Sequence, residues 1–304
     1  MTVGSFSQDE LDEIYAFAID LGRKAGNLLM ERAEQRMSGE NGGSNTFEEK
    51  ENAVDIVTQT DEDVEVFIRT ALESRYPTHR FLGEEAYAKG QSRDYLITEQ
   101  PTWCIDPLDG TVNYTHIFPM FCVSIGFIVQ HKPIIGVIYA PFTNQLWSAC
   151  SGRGAWLNET RRLPLVRNPI PPMPANAPSQ CIFSCEWGKD RRDIPNGNLH
   201  RKIESFVNMA AEVGSRNGKG VWCMVDIAAG AAILLEAGGL MTTANPPADV
   251  DMAPIEDVRL GSRLYLAIRP AGPSPTETGR ETQERAVREV WRRVRTLEYS
   301  RPGA

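Results

Sequence analysis

No block of clustered lysines or arginines interrupts this 304-residue chain, and its formal net charge is −8. That balance excludes non-specific binding to nucleic acid or to an anionic membrane. No long apolar run is present: the richest stretches, around Phe118–Val129 and Ile227–Leu235, are too short to span a bilayer. The opening MTVGSFSQDELDEIY is polar and acidic, unlike a secretory or mitochondrial signal. Only four histidines occur, and the six cysteines (104, 122, 150, 181, 185 and 223) form no CxxC pair. A zinc centre is therefore not expected, and a metal, if bound, is expected on oxygen. Reduced thiols in a cytoplasmic protein are the simplest account of scattered cysteines inside apolar runs. What remains is an ordinary globular composition, 41% hydrophobic and 24% charged.

Ser7-Gln8-Asp9-Glu10 reads as a capping box. It opens a helix whose apolar positions, from Ile14 to Leu29, recur at helical spacing to about Met37. After the loop SGENGGSN a short strand is expected at Val54–Thr58, then a helix capped by Thr60 and ended by Pro77. Strands follow at Arg80–Gly83, Tyr95–Thr98, Thr102–Ile105, Phe121–Gln130 and Pro133–Ala140, with a hairpin from Gln145–Cys150 and Gly154–Asn158. Six prolines in Leu163–Ser179 mark the best internal boundary. It divides an N-terminal α/β half, 1–165, from a C-terminal α/β half, 166–304. In the second half the expected elements are a strand at Cys181–Cys185, helices at Leu199–Val213 and Ile227–Ala237, a strand at Leu264–Ile268, and a C-terminal helix opened by Pro275. Its stripe (Val287, Val290, Trp291, Val294, Leu297) is that of a helix covering a neighbouring element. Helices mixed with consecutive strands imply a layered α/β or α+β sandwich.

Acidic residues stand where these elements begin or end: Asp61, Glu84-Glu85, Asp106, Asp109 and Asp226. Singly each has a plain reading: a first-turn acid, a solvated turn, a helix cap. The run Asp106-Pro107-Leu108-Asp109-Gly110-Thr111 does not, since two like charges three residues apart destabilise each other unless a positive charge lies between them. Hard divalent cations take oxygen ligands, and two of them sharing a carboxylate can clamp the oxygens of a phosphoryl group. Backbone N–H groups of Gly110 and Thr111, at a turn that opens a helix, would face a phosphate.

Gly83–Glu85 (GEE), Ile105–Phe127 (IDPLDGTVNYTHIFPMFCVSIGF), Val225–Gly239 (VDIAAGAAILLEAGG) and Lys50–Glu65 (KENAVDIVTQTDEDVE) resemble, in order, the signatures of the inositol monophosphatases. The resemblance runs from the first helix to about Arg269. It implies an αβαβα sandwich of the inositol monophosphatase and fructose-bisphosphatase type. It also implies Mg²⁺-dependent, lithium-sensitive hydrolysis of a small phosphate monoester, most closely myo-inositol monophosphate, by a metal-activated water, with two or three Mg²⁺ per site in a homodimer. By position, Glu84, Asp106 and the Leu108 carbonyl would hold one ion, and Asp106 would bridge to a second completed by Asp109 and Asp226. Glu84, or the pair Asp61 and Thr111, would activate the water. Leu108, Asp109, Gly110 and Thr111 would meet the substrate.

The pattern is broken ahead of Asp226. AEVGSRNGKGVWCMVDIAAG passes from the Leu199–Val213 helix almost directly into the last motif, where the family normally has a further helix and strand. The second half is thus expected to be shortened around 214–225. Two alternatives stay open beside the leading one: a 3′(2′),5′-bisphosphate nucleotidase or fructose-bisphosphatase-like activity, and a truncated, non-catalytic paralogue.

Overall fold

The structure is a computed structural model that describes residues 6–38, 59–84, 99–183, 190, 192–211, 230–257 and 264–298, and the backbone alone at 48–49, 56–57 and 222–223. The chain divides into two compact units, Met1–Leu165 with Ala229–Ala237, and Val166–Ala228 with Gly238–Ala304. No helix among the described residues is long and apolar enough to cross a membrane.

The first unit is built on a seven-stranded sheet in the order β3-β4-β5-β6-β7-β8-β9. Its strands are β3 (Arg80–Gly83), β4 (Thr102–Asp109), β5 (Cys122–Val129), β6 (Lys132–Ala140), β7 (Gln145–Cys150), β8 (Gly154–Leu157) and β9 (Arg161–Arg162). Only β3 and β4 run parallel; the rest are antiparallel neighbours. Two-residue strands β1 (Glu48–Glu49) and β2 (Ile56–Val57) pair separately. One face of the sheet carries α1 (Gln8–Ser38) and α2 (Gln59–Arg75), whose Leu21, Ala25, Leu29, Val64 and Ile68 pack with Trp103, Ile105, Ile125, Phe127 and Val137. The Ser7 hydroxyl accepts from the Glu10 N–H at 3.3 Å and the Ser7 N–H donates to Glu10 Oε2 at 2.7 Å, so α1 starts at the expected capping box. Gly26 lets α1 approach the sheet closely, since a Cβ there would lie 2.3 Å from the Tyr139 ring. The opposite face receives the short α5 (Ala231–Glu236), whose Ile233 packs with Ile138, Ala149 and Ala155. The seventeen-residue α2 begins at Gln59, which places Thr60 inside its first turn rather than at the cap.

β4 is longer than its apolar run suggests. It continues through Pro107 to Asp109, pairing Asp106 with Ser124 and Asp109 with Cys122 across a register shift. A bulge is one of the few places where a strand tolerates proline, which has no N–H for the ladder. α3 (Thr111–Thr115) follows, entered through Gly110 at φ 88°, ψ 39°, a left-handed conformation natural to glycine. A side chain there would also meet the Met120 carbonyl at 2.8 Å.

The second unit pairs β12 (Leu240–Thr243) with β13 (Tyr265–Ile268) antiparallel, and β10 (Ile182–Phe183) with β11 (Trp222–Cys223) parallel. The helices are α4 (Asn198–Ala210) and α6 (Gly279–Trp291). As its stripe implied, α6 covers a neighbour: Val287, Ala286 and Trp291 pack on Leu240 and Ile268, and the Trp291 indole donates to the Thr243 carbonyl at 2.9 Å. Its start is not Pro275, however. Thr278 and Glu281 form a complete capping box and place the first turn at Gly279, because a reciprocal cap satisfies two orphan N–H groups that proline cannot. Tyr95–Thr98 and Asp226 lie outside the described residues.

Candidate active site

The bulge decides how the two aspartates of the DPLDG run are presented. In an unbroken strand, residues three apart point to opposite faces. Here one extra residue sits between them, so Asp106 and Asp109 oppose Ser124 and Cys122, which are two apart and share a face. Both acids therefore project from the same side of β4. Glu84 follows β3, whose Gly83 pairs with Ile105, and so stands beside Asp106 across the parallel ladder. Glu84 and Asp109 both crowd Asp106. Burial pushes the Asp106 carboxyl well up from its ordinary value, reinforced by the charges of Glu84 and Asp109 and by a hydrogen bond shared with Glu84. The Leu108 N–H, donating to Asp106 Oδ1 at 3.1 Å, opposes that shift but does not overcome it.

A second pair lies at the entrance of α3. The Thr111 hydroxyl is 3.1 Å from Asp61 Oδ1 and 3.1 Å from the Leu108 carbonyl oxygen, either of which can accept its proton. Asp61 is 1% exposed in the first turn of α2, so water cannot substitute for that contact. The Tyr114 hydroxyl donates to the Thr60 oxygen at 3.3 Å, a second tie between the same two helices. Arg36 of α1 donates to the carbonyls of Tyr114 (3.2 Å) and Thr115 (2.8 Å), which closes the end of α3.

Of the residues singled out from sequence, the structure thus brings together Glu84, Asp106 and Asp109, and separately Asp61, Thr111 and Leu108. The two groups are joined through the short stretch from Asp106 to Thr111. Asp226 and Glu85 lie outside the described residues. Among the described residues no three acidic, histidine or cysteine side chains close into a ready-made cage. The donor set nevertheless suits a hard cation: carboxylate and carbonyl oxygens, with mutual repulsion that a divalent charge would relieve. Two cysteines belong to this neighbourhood and were read from sequence only as small buried hydrophobes. The Cys122 thiol donates to Asp109 Oδ2 at 3.8 Å, and burial together with that aspartate raises its pKa strongly. Cys104, two residues before Asp106 on the same face of β4, is exposed rather than a buried hydrophobe. Strand alternation from Asp106 points to Cys104; only the cross-strand register reveals Cys122.

The family model described as "Inositol monophosphatase family" matches residues 10–295. "Protein qutG" of Emericella nidulans is 67% identical over 97% of this chain and 97% of its own length. "Quinic acid degradation cluster protein x" of Neurospora crassa is 59% identical over 100% of both. "Inositol monophosphatase 1" of Rattus norvegicus is 37% identical over 77% of this chain and 84% of its own length. The Neurospora alignment runs over 343 positions against 304 residues here, so at least 39 of its positions have no counterpart in this chain. Among solved structures, an inositol monophosphatase from Anabaena superposes with a TM-score of 0.60 at 23% identity, covering 95% of this chain and 99% of its own. One from Thermotoga maritima gives 0.57 at 22%, covering 93% and 98%. The α/β fold expected from the sequence is the fold these structures share.

Proposed function

Because this chain belongs to the inositol monophosphatase family, we propose that it hydrolyses a small phosphate monoester, myo-inositol monophosphate foremost, in a Mg²⁺-dependent, lithium-sensitive reaction. Phosphatase chemistry comes with the family; the substrate is our reading. The observation that carries it is the same-face display of Asp106 and Asp109 beside Glu84, with the Asp61–Thr111 pair at the end of the same strand.

Glu84, Asp106, Asp109 and the Leu108 carbonyl would hold the cations, with Asp226 as a further ligand. When bound, Mg²⁺ supplies positive charge for the phosphate oxygens and the departing ester oxygen. The chain's own residues do the rest. Asp61, buried in the first turn of α2, accepts the Thr111 hydroxyl proton and leaves that oxygen's lone pairs to accept in turn. Thr111 is thereby poised to accept a proton from an attacking water and to pass its own to Asp61, a general-base relay. Water oxygen bonds to phosphorus as the bond to the alcohol oxygen breaks; the water's proton passes through Thr111 to Asp61, and the departing alkoxide takes a proton from a solvent water. Leu108, Asp109, Gly110 and Thr111 line the approach of the phosphate. A homodimer is the expected assembly.

A second reading concerns the alcohol. The Neurospora relative is named for quinic acid degradation, and quinic acid, like inositol, is a six-membered carbon ring bearing several hydroxyls. Phosphate esters of such cyclic hydroxy acids are the alternative substrates. Phosphate release from inositol 1-phosphate, a phosphorylated quinate, a 3′,5′-bisphosphate nucleotide and fructose 1,6-bisphosphate, each with Mg²⁺, decides the matter. Asp106→Asn should abolish turnover of whichever ester is used; a variant that keeps the wild-type rate would remove Asp106 from the site.

A further inference from the structure

Glu65 lies one helical turn beyond Asp61 on α2, 3% exposed, and the family resemblance gives it no task. A glutamate is almost never so deeply buried without a partner and a reason. Its Oε1 accepts from Arg69 Nη2 at 2.7 Å, and the Arg69 guanidinium lies over the Phe81 ring, 4.9 Å from its centroid. Its Oε2 occupies the space that a side chain on Gly83 would fill: an ideal Cβ there would stand 2.4 Å from that oxygen. The carboxylate of Glu65 is therefore wedged against the backbone of the residue that immediately precedes Glu84. Through Arg69 it also grips Phe81 on the same strand. Meanwhile Asp61, on the same helix, is tied to Thr111.

We propose that Glu65 is a positioning residue: a buried carboxylate strut between α2 and the end of β3 that sets where Glu84 stands relative to Asp61. The inference rests on the proposed cation site, and it assigns Glu65 no contact with substrate or metal. Groups that orient metal ligands without touching the metal characteristically change affinity rather than fold when they are altered. Gly83 follows from the same geometry. It lacks a side chain because the Glu65 carboxylate and the Phe81 ring edge, 2.4 and 2.6 Å from where a Cβ would stand, take the room.

The test uses the full chain and Mn²⁺ as the probe, its binding followed by electron paramagnetic resonance, with thermal melting and the Mg²⁺ activation constant measured in parallel. Glu65→Gln keeps the volume and should melt close to wild type, yet weaken Mn²⁺ binding and raise the Mg²⁺ activation constant about tenfold, with kcat at saturating Mg²⁺ changed far less. Gly83→Ala should do the same by driving its methyl into the carboxylate. Unchanged Mn²⁺ affinity in Glu65→Gln overturns the proposal, as does a loss of melting temperature with no loss of affinity. If wild type binds Mn²⁺ but turns over no ester, the phosphatase reading falls, while the Mn²⁺ titrations still decide the role of Glu65. If wild type binds no Mn²⁺, the strut has no site to serve and the proposal falls with it.

Discussion

Thr111→Val exchanges one hydroxyl for a methyl of nearly the same volume, so its effect isolates the contact with Asp61. That contact is a 3.1 Å bond to a carboxylate oxygen 1% exposed. Removing the donor from a buried acceptor costs about 1–3 kcal/mol. The single hydroxyl proton is shared with the Leu108 carbonyl, which argues for the middle of that range, about 2 kcal/mol. In a domain of this size such a loss lowers the melting temperature by about 5 °C. If the same bond is needed in the transition state, kcat falls about 30-fold, since each 1.36 kcal/mol is a factor of ten. Thr111→Ser keeps the hydroxyl and forgoes one methyl, about 0.8 kcal/mol of burial, and should retain most of the rate. Calorimetric melting and phosphate release at saturating Mg²⁺ supply both numbers. A Thr111→Val protein that melts lower but keeps kcat within about twofold would show the hydroxyl to be a brace and refute the relay.

Gly26→Ala should destabilise: the helix gains about 1 kcal/mol of propensity, but a methyl 2.3 Å from the Tyr139 ring costs about 1–3 kcal/mol of overpacking. Gly22→Ala, whose nearest neighbour is the Val137 methyl at 3.1 Å, should cost distinctly less; equal urea midpoints for the two would contradict the close approach of α1 at Gly26. Asp106→Asn should make the metal-free protein more stable, because the Asp106 carboxyl is held up by burial and by the charges of Glu84 and Asp109. A lower melting temperature in chelator would tell against that crowding. His79, whose Nδ1 accepts the Trp103 indole N–H at 3.1 Å and whose ring stacks on Tyr76, has its pKa depressed below 6.5 by burial. The folded state then binds fewer protons than the unfolded one, so this contribution is present above pH 6.5 and lost as pH falls below it. Replacing His79 by Gln should flatten stability against pH in that window.

Much of this arrangement is legible in the residues themselves. The capping box at Ser7, the periodicity of α1, and the turn chemistry of Gly110 act locally, and each element appears where those signals put it. The strand through Pro107 is not legible in that way, because proline normally ends a strand and only the opposing register of β5 reveals a bulge. β12 follows two glycines and holds four residues, Leu240 to Thr243; its identity comes from pairing with β13, which is remote in sequence. Cys122 near Asp109 and Glu65 against Gly83 are likewise products of tertiary register. The acids could be named from the sequence, but the supports that aim them could not.

The extra residue in β4 makes the site depend on counting as well as on chemistry. Alternation along a strand is a matter of parity, and the bulge shifts it by one between Asp106 and Asp109. Were the bulge ironed out with no residue lost, Asp109 would turn to the apolar side beneath α1 and α2; deleting Leu108 as well would put the two acids two apart and keep them on one face. The bulge thus supplies one residue of register: what the shared face cannot survive is a straightened strand of unchanged length.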